Sequence, residues 1–209
     1  MGIDNFATFI VTTVFFILTP GIDTLFVLNK AITQGKASGI YATLGINAGV
    51  MVHTLFAVFG LSIIVARSAL VFTFVKYVGA LYLLYLGVIK LYSYNGSPIL
   101  DKGRQDNKRG KDNFIAGFVT NVLNPKVALF FLAFFPQFIN PSQIKNPTPF
   151  IILGITYAIM GTIWFLILTM FAGMFSKKFR ENPKAFMWLN KSSGVVFILM
   201  ALKVAFTKN

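Results

Sequence analysis

Long apolar segments separated by short polar ones fill most of the chain. Because a helix needs about 20 mostly apolar residues to cross the hydrocarbon core of a bilayer, each such segment predicts a membrane-spanning helix. The six predicted spans cover residues of about 5–33, 37–66, 69–93, 113–139, 148–175 and 186–207. The pattern therefore predicts an all-α membrane protein.

The polar segment 94–112 divides the chain into two parts with three predicted helices each. This division predicts a first three-helix repeat at 1–93, a basic cytoplasmic linker at 94–112 and a second three-helix repeat at 113–209. Because three is an odd number, two halves that share one fold must be inverted relative to each other across the membrane. The third and sixth predicted spans also resemble each other, with VGALYLLYLGVIKLY in one and SGVVFILMALKVAF in the other.

Two predicted spans are interrupted by proline at matching positions of the halves. Thr19, Pro20 and Gly21 interrupt the first span, and Asn124 with Pro125 interrupts the fourth. Thr19 and Asn124 suit helix N-caps, and the prolines suit the first helical position after them. Broken helices in two inverted halves are typical of secondary transporters, whose substrate sites form where the breaks meet.

The charge pattern predicts the orientation. The chain is 56% hydrophobic and carries a net charge of +13. This charge could indicate nucleic-acid binding, but the basic residues lie mainly in loops between the predicted spans. We therefore expect the protein to lie in a lipid bilayer and to bind no nucleic acid. Because cytoplasmic loops retain an excess of Lys and Arg, both termini are predicted outside. Of the 19 basic residues, 13 fall on the predicted cytoplasmic side: Lys30, Lys36, Lys90, Lys102, Arg104, Lys108, Arg109, Lys111, Lys177, Lys178, Arg180, Lys184 and Lys191.

The composition argues against a cofactor or metal site. The chain has no Cys and a single His, His53. One His with one acid inside the predicted spans cannot complete a typical coordination shell. The same two groups supply no convincing nucleophile and base or acid dyad, so we expect no enzymatic activity.

Asp23 is the one acidic residue placed inside a predicted span. A charged carboxylate at the centre of a membrane helix costs roughly 2.5–3.5 kcal/mol on insertion scales, so its side chain should face the interior of the bundle. Asp23 could merely complement the positive end of its half-helix, although it lies too late for a standard capping box counted from Thr19. We favour a functional role.

Lys126, His53 and Asn47 are further candidate side chains in the predicted spans. Lys126 could pair with Asp23, bind a substrate carboxylate, or extend to the cytoplasmic interface. His53 follows Asn47 by nearly two helical turns, on roughly the same side of its helix. A lone His on an apolar helix is more often a hydrogen-bonded packing residue, yet it could also carry a proton.

Four segments together resemble the LysE/RhtB family of bacterial amino-acid exporters: TPGIDTLFVL, GIYATLGINAGVMVHTLFAVFGLS, VKYVGALYLLYLGVIKL and GFVTNVLNPKVALFFLAFFPQF. The N-x-x-N-P-K signature of the family is met by Asn121, Asn124, Pro125 and Lys126. Ile22 stands where the family usually has a second proline after T-P-G. The resemblance implies a small inner-membrane protein that exports amino acids or close derivatives, driven by the proton gradient.

These observations lead to a hypothesis of proton-coupled export through a site between the two breaks. Protonation of Asp23 on the outer side would weaken its hold on a substrate amine, and His53 is a second proton-coupling candidate. Export of another solute such as a cation, or a non-transporting scaffold, is the alternative. Six short helices are few for enclosing a solute path, which leaves a homodimer open. The predicted substrate-binding residues are Thr19, Gly21, Asp23, Asn47, Asn121, Asn124 and Lys126.

Overall fold

The computed structural model describes residues 2–61, 69–92, 110–174 and 183–206. Within these ranges the chain forms helices and no strand. Most of the predicted linker 94–112 lies outside the described residues, as do Lys177, Lys178 and Arg180. The helices are α1 Phe6–Leu18, α2 Ile22–Gln34, α3 Lys36–Phe56, α4 Ala69–Tyr92, α5 Gly110–Val122, α6 Pro125–Leu129, α7 Pro147–Met170 and α8 Pro183–Phe206.

Two long helices and two bent pairs carry the membrane-spanning character of the described residues. Lys36–Gly60 and Pro147–Met170 are each long and apolar enough to cross a bilayer. The pair α1 and α2 bends by 53°, and α5 with the segment Pro125–Phe138 bends by 48°. Counting each bent pair as one span gives up to four candidate spans within the described part of the chain.

Both bends lie where the sequence predicted an interruption. α1 ends at Leu18 and α2 begins at Ile22, so residues 19–21 separate them. α5 ends at Val122, and α6 begins at Pro125. Proline lacks a backbone N–H and its ring clashes with the preceding turn, which explains why each helix stops just before it.

An aromatic core holds the bent pairs together. α6 continues as a π-helical turn, Phe130–Phe134, and a 3₁₀ turn, Phe135–Phe138. The rings of this segment pack on α1 and α7, with Phe16 and Phe130 centroids 4.2 Å apart. Phe9, Phe16, Phe130, Phe131, Phe134, Phe135, Phe138 and Phe197 are all almost fully buried.

Glycines allow α3 to approach α5 closely. A Cβ added to Gly117 would lie 2.5 Å from the carbonyl oxygen of Ala42, and one added to Gly45 would overlap the backbone at Phe114. Small residues permit such backbone contact between membrane helices. The close approach brings the second break, at the end of α5, against the middle of α3.

Candidate functional site

The first break has a different cap from the predicted one. Thr19 is the C-cap of α1: its backbone N–H donates to the Phe15 carbonyl at 3.1 Å, and its hydroxyl donates to the same oxygen at 2.6 Å. Gly21, with an extended backbone, is the N-cap of α2. The prediction that Thr19 caps the following helix, with Pro20 at its first position, is therefore wrong. A Thr hydroxyl can bond backward to the carbonyl four residues earlier as well as forward, and here it bonds backward.

The second break has the predicted cap. Asn124 Oδ1 accepts a 3.0 Å hydrogen bond from the backbone N–H of Lys126, and Pro125 is the first residue of α6. The backbone N–H of Asn124 donates to the Asn121 carbonyl at 2.9 Å. The N-cap role of Asn124 and the position of Pro125 are thus confirmed.

Each proline leaves a carbonyl four residues earlier without its helical donor. Pro20 cannot donate to Phe16, and Pro125 cannot donate to Asn121. Lys126 Nζ donates to the Phe16 carbonyl at 3.0 Å, and His53 Nε2 lies 3.0 Å from the Asn121 carbonyl. Because a carbonyl only accepts, this contact places a proton on His53 Nε2. A side chain from each half of the chain therefore supplies the donor that the proline of the other half has removed.

Asp23 lies inside the helix bundle. With Gly21 as the N-cap, Asp23 is the second residue of α2, within the first turn whose N–H groups carry partial positive charge. It is 8% exposed, and its Oδ2 accepts a 2.8 Å hydrogen bond from Asn121 Nδ2. Within the described ranges its Oδ1 has no hydrogen-bond partner.

A small cavity joins the two breaks. It contains about 20 Å³ of space for the centres of water molecules, which is room for one or two waters. It is lined by Gly21 and by the polar residues Asp23, Thr24, Asn47, Asn121, Asn124 and Lys126. Its remaining lining residues are Phe16, Ile17, Ile46, Val50, Val127, Tyr157, Gly161 and Phe165.

The cavity brings together most of the side chains that the sequence indicated. Of the predicted substrate-binding and proton-coupling residues, only Thr19 and His53 do not line it, and the break residues Pro20 and Pro125 do not line it either. The Thr19 carbonyl accepts from Lys126 Nζ at 3.0 Å, and His53 bonds to the backbone of Asn121. Both residues therefore bond to residues that line the cavity without lining it themselves.

Helix α7 contributes residues that the sequence reasoning missed. Tyr157, Gly161 and Phe165 of this helix line the cavity. α7 is apolar around its whole circumference, so its sequence does not mark which face is buried. The three residues are spaced by four, and residues with this spacing share one helical face. This spacing was the one feature of the sequence that could have indicated their common position.

Hydrogen-bond acceptors are left open in the cavity. The Oδ1 atoms of Asp23, Asn47 and Asn121 are buried, and none has a hydrogen-bond partner in the described part of the chain. Asn47 Nδ2 is already used, because it donates to the Thr43 carbonyl at 2.9 Å. Buried acceptors without a donor, one of them on a carboxylate, suit a ligand group that carries several donors and a positive charge.

Comparisons with known proteins show the family of the chain. The family model described as LysE type translocator matches residues 14–208. The chain is 31% identical to the uncharacterised membrane protein YrhP of Bacillus subtilis (strain 168), covering 90% of this chain and 91% of YrhP. It is 31% identical to a leucine efflux protein of Enterobacter sp. (strain 638) and 28% identical to one of Salmonella typhimurium, covering 98% of this chain and 96% of each relative. No solved structure gives a significant match. The chain is a multi-pass bacterial membrane protein and belongs to the LysE type translocator family.

Proposed function

We propose that this protein is a secondary active exporter of amino acids or close derivatives that works by proton antiport and alternating access. The observation that carries the proposal is the meeting of both helix breaks at one cavity that contains Asp23. In lipid, broken helices are tolerated only where protein or a water-filled cavity satisfies the freed backbone groups. A substrate site gives such breaks a purpose that a passive scaffold would not.

The open acceptors suit a substrate amine. An ammonium group carries only donors and a positive charge. Asp23 Oδ1 would accept one of its protons, and Asn47 Oδ1, on the same lining, is a second candidate acceptor. This arrangement favours an amine over an inorganic anion at the same place.

The substrate carboxylate has two candidate partners. One is the N-terminal turn of α2, where the backbone N–H groups carry partial positive charge. The other is Lys126, a lining residue whose ammonium also donates to the carbonyls of Phe16 and Thr19. Either partner, together with Asp23, would bind the two charged ends of a zwitterion.

The apolar part of the cavity favours an aliphatic side chain. Ile46, Val50, Val127 and Phe165 are among its apolar lining residues. Two of the relatives are named leucine efflux proteins. We therefore propose leucine or a similar aliphatic amino acid as the substrate to test first.

Asp23 is the proposed proton carrier. Proton uptake from the outer side would remove the negative charge that holds the amine, and the amino acid would then leave outward. His53 is the second candidate for binding the proton. It contacts the backbone carbonyl of Asn121, the residue that bonds to Asp23.

The proposed architecture has six spans in two inverted halves, with both termini outside. Two cross-contacts are consistent with it. The N-terminal segment meets the end of the second bent pair, where the Asp4 N–H donates to the Phe138 carbonyl at 2.8 Å. The end of α2 meets the start of α5, where Asn113 Nδ2 donates to Gln34 Oε1 at 2.9 Å. In the six-span topology these two contacts lie on opposite sides of the membrane.

An uptake assay tests the function. Everted membrane vesicles that contain the protein are acidified inside, so that their interior corresponds to the outer side of the cell. Labelled leucine should accumulate in them and leave again when a protonophore removes the pH gradient. Vesicles without the protein are the control. If no labelled amino acid of a neutral or basic panel accumulates above this control, the proposal fails and the scaffold alternative gains support.

A further inference from the structure

The C-terminal end of α1 presents two carbonyl oxygens to one point in space. Lys126 Nζ lies there, 3.0 Å from the carbonyl oxygen of Phe16 and 3.0 Å from that of Thr19. Phe16 lost its helical donor to Pro20, and Thr19 follows the last helical residue. The last carbonyls of a helix also carry partial negative charge. This point therefore attracts a cation.

Aromatic faces complete the surroundings of the same point. Lys126 Nζ lies 4.4 Å from the ring centroid of Phe16 and 5.6 Å from that of Phe197. Both rings are 1% exposed. A cation within about 6 Å of an aromatic face is attracted by it, and more strongly when water is absent. Carbonyl oxygens and aromatic faces together form a site for a small cation with one positive charge.

Gly21, in the break after α1, lies alongside Lys126. A Cβ added to Gly21 would lie 3.4 Å from Lys126 Cδ and 3.5 Å from its Nζ, which are ordinary contact distances. The lysine side chain thus passes along the break between the start of α6 and the end of α1.

We propose that the end of α1 is a binding site for a monovalent cation, and that the ammonium of Lys126 is its permanent, covalently tethered occupant. In transporters with broken helices, unwound carbonyls and half-helix C-terminal ends can bind a dissolved Na⁺. Here a lysine from the other break takes the place of that ion. The consequence for transport, which rests on the proposed function, is that leucine exchange requires no dissolved metal cation.

Replacing the lysine separates the site from its occupant. Lys126→Met keeps a long apolar side chain but leaves the two carbonyls without a charged donor, so a dissolved cation becomes the best available partner. Lys126→Arg keeps a positive charge and should remain independent of dissolved cations. Lys36→Met, at the exposed start of α3, is the matched control for the loss of one lysine.

The experiment measures leucine exchange in proteoliposomes with sodium, potassium or choline chloride on both sides. Wild type, Lys126→Arg and Lys36→Met should each show one rate that is the same in all three salts, whatever the rate of the variant is relative to wild type. Lys126→Met should be slow in choline and faster by about tenfold in sodium or potassium, the size expected from restored charged hydrogen bonds. Equal rates for Lys126→Met in all three salts, or a requirement for sodium or potassium in wild type, would overturn the proposal.

Thermal unfolding of the purified proteins gives a second readout that needs no transport. Sodium or potassium should raise the Tm of Lys126→Met above its value in choline, and should leave the Tm of wild type unchanged. Lys126→Gln serves as a second neutral variant and should behave in the same way. If wild type exchanges no leucine, the proposed function fails, yet the salt dependence of the Tm still decides the cation site. Absence of any salt effect on the Tm of both neutral variants contradicts the site.

Discussion

Asn121 donates a 2.8 Å hydrogen bond from its side chain to Oδ2 of Asp23, which lies 98 residues earlier. The backbone carbonyl of Asn121 accepts from His53 and from the N–H of Asn124. One residue thus joins the carboxylate at the first break, the middle of α3 and the cap of the second break. A change at Asn121 should therefore affect the site more than a change at an asparagine of similar burial elsewhere.

Asn121→Leu should lower leucine export roughly tenfold or more, since a hydrogen bond to a charged group contributes about 1.5–3 kcal/mol. Asn113→Leu is the matched control. Asn113 is also fully buried on α5 and also bonds to α2, through Gln34, but it does not line the cavity. Export rates normalised to the amount of inserted protein provide the measurement. Equal losses in the two variants would mean that Asn121 acts only through stability.

Gly49→Ala should disturb the same asparagine from the opposite side. A Cβ added to Gly49 would lie 2.6 Å from Asn121 Oδ1 and 2.8 Å from its Cβ, so Asn121 must move. Overpacking of this kind costs about 1–3 kcal/mol. We expect a lower Tm and weaker export.

Gly60→Ala is the control for Gly49→Ala, because nothing lies within 4 Å of a Cβ added to Gly60. It should keep both the wild-type Tm and wild-type export. If Gly49→Ala matches it in both measurements, the contact between α3 and Asn121 is looser than the structure indicates.

The positions of both breaks could be predicted from the sequence because proline acts on its own helical turn. Pro20 and Pro125 stop their helices wherever the rest of the chain lies. The cap at Asn124 is local for the same reason. The cap at Thr19 was not predictable, because its hydroxyl can bond to the preceding or the following turn and only the folded backbone decides between them.

Contacts between distant segments could not be read from the sequence. The bond from Lys126 to the Thr19 carbonyl spans 107 residues, and it was not among the three roles that the sequence left open for this lysine. The contribution of Tyr157 and Phe165 was missed because α7 is apolar on every side. In a membrane protein, apolar residues face both lipid and core, so burial cannot be inferred from hydrophobicity alone.

His53 should act through its N–H group. Since His53 Nε2 donates to the Asn121 carbonyl, His53→Gln can supply a similar donor, whereas His53→Leu leaves that buried carbonyl with one donor fewer. We expect His53→Gln to keep most of the export rate and an unchanged pH profile. His53→Leu should lose stability by about 1–3 kcal/mol. A pH profile of export that flattens or shifts in His53→Gln would instead identify His53 as a proton carrier.

Asp23→Asn should abolish export driven by a pH gradient while leaving insertion intact. An amide of the same shape can still accept a hydrogen bond from Asn121, but it can neither take up a proton nor attract an ammonium by charge. Accumulation of labelled leucine in acidified everted vesicles should fall to the level of vesicles without the protein. Asp112→Asn, an exposed acid in the first turn of α5, should behave as wild type. Export by Asp23→Asn at the wild-type rate would make this carboxylate structural, and the coupling proton would then have to bind elsewhere in the chain.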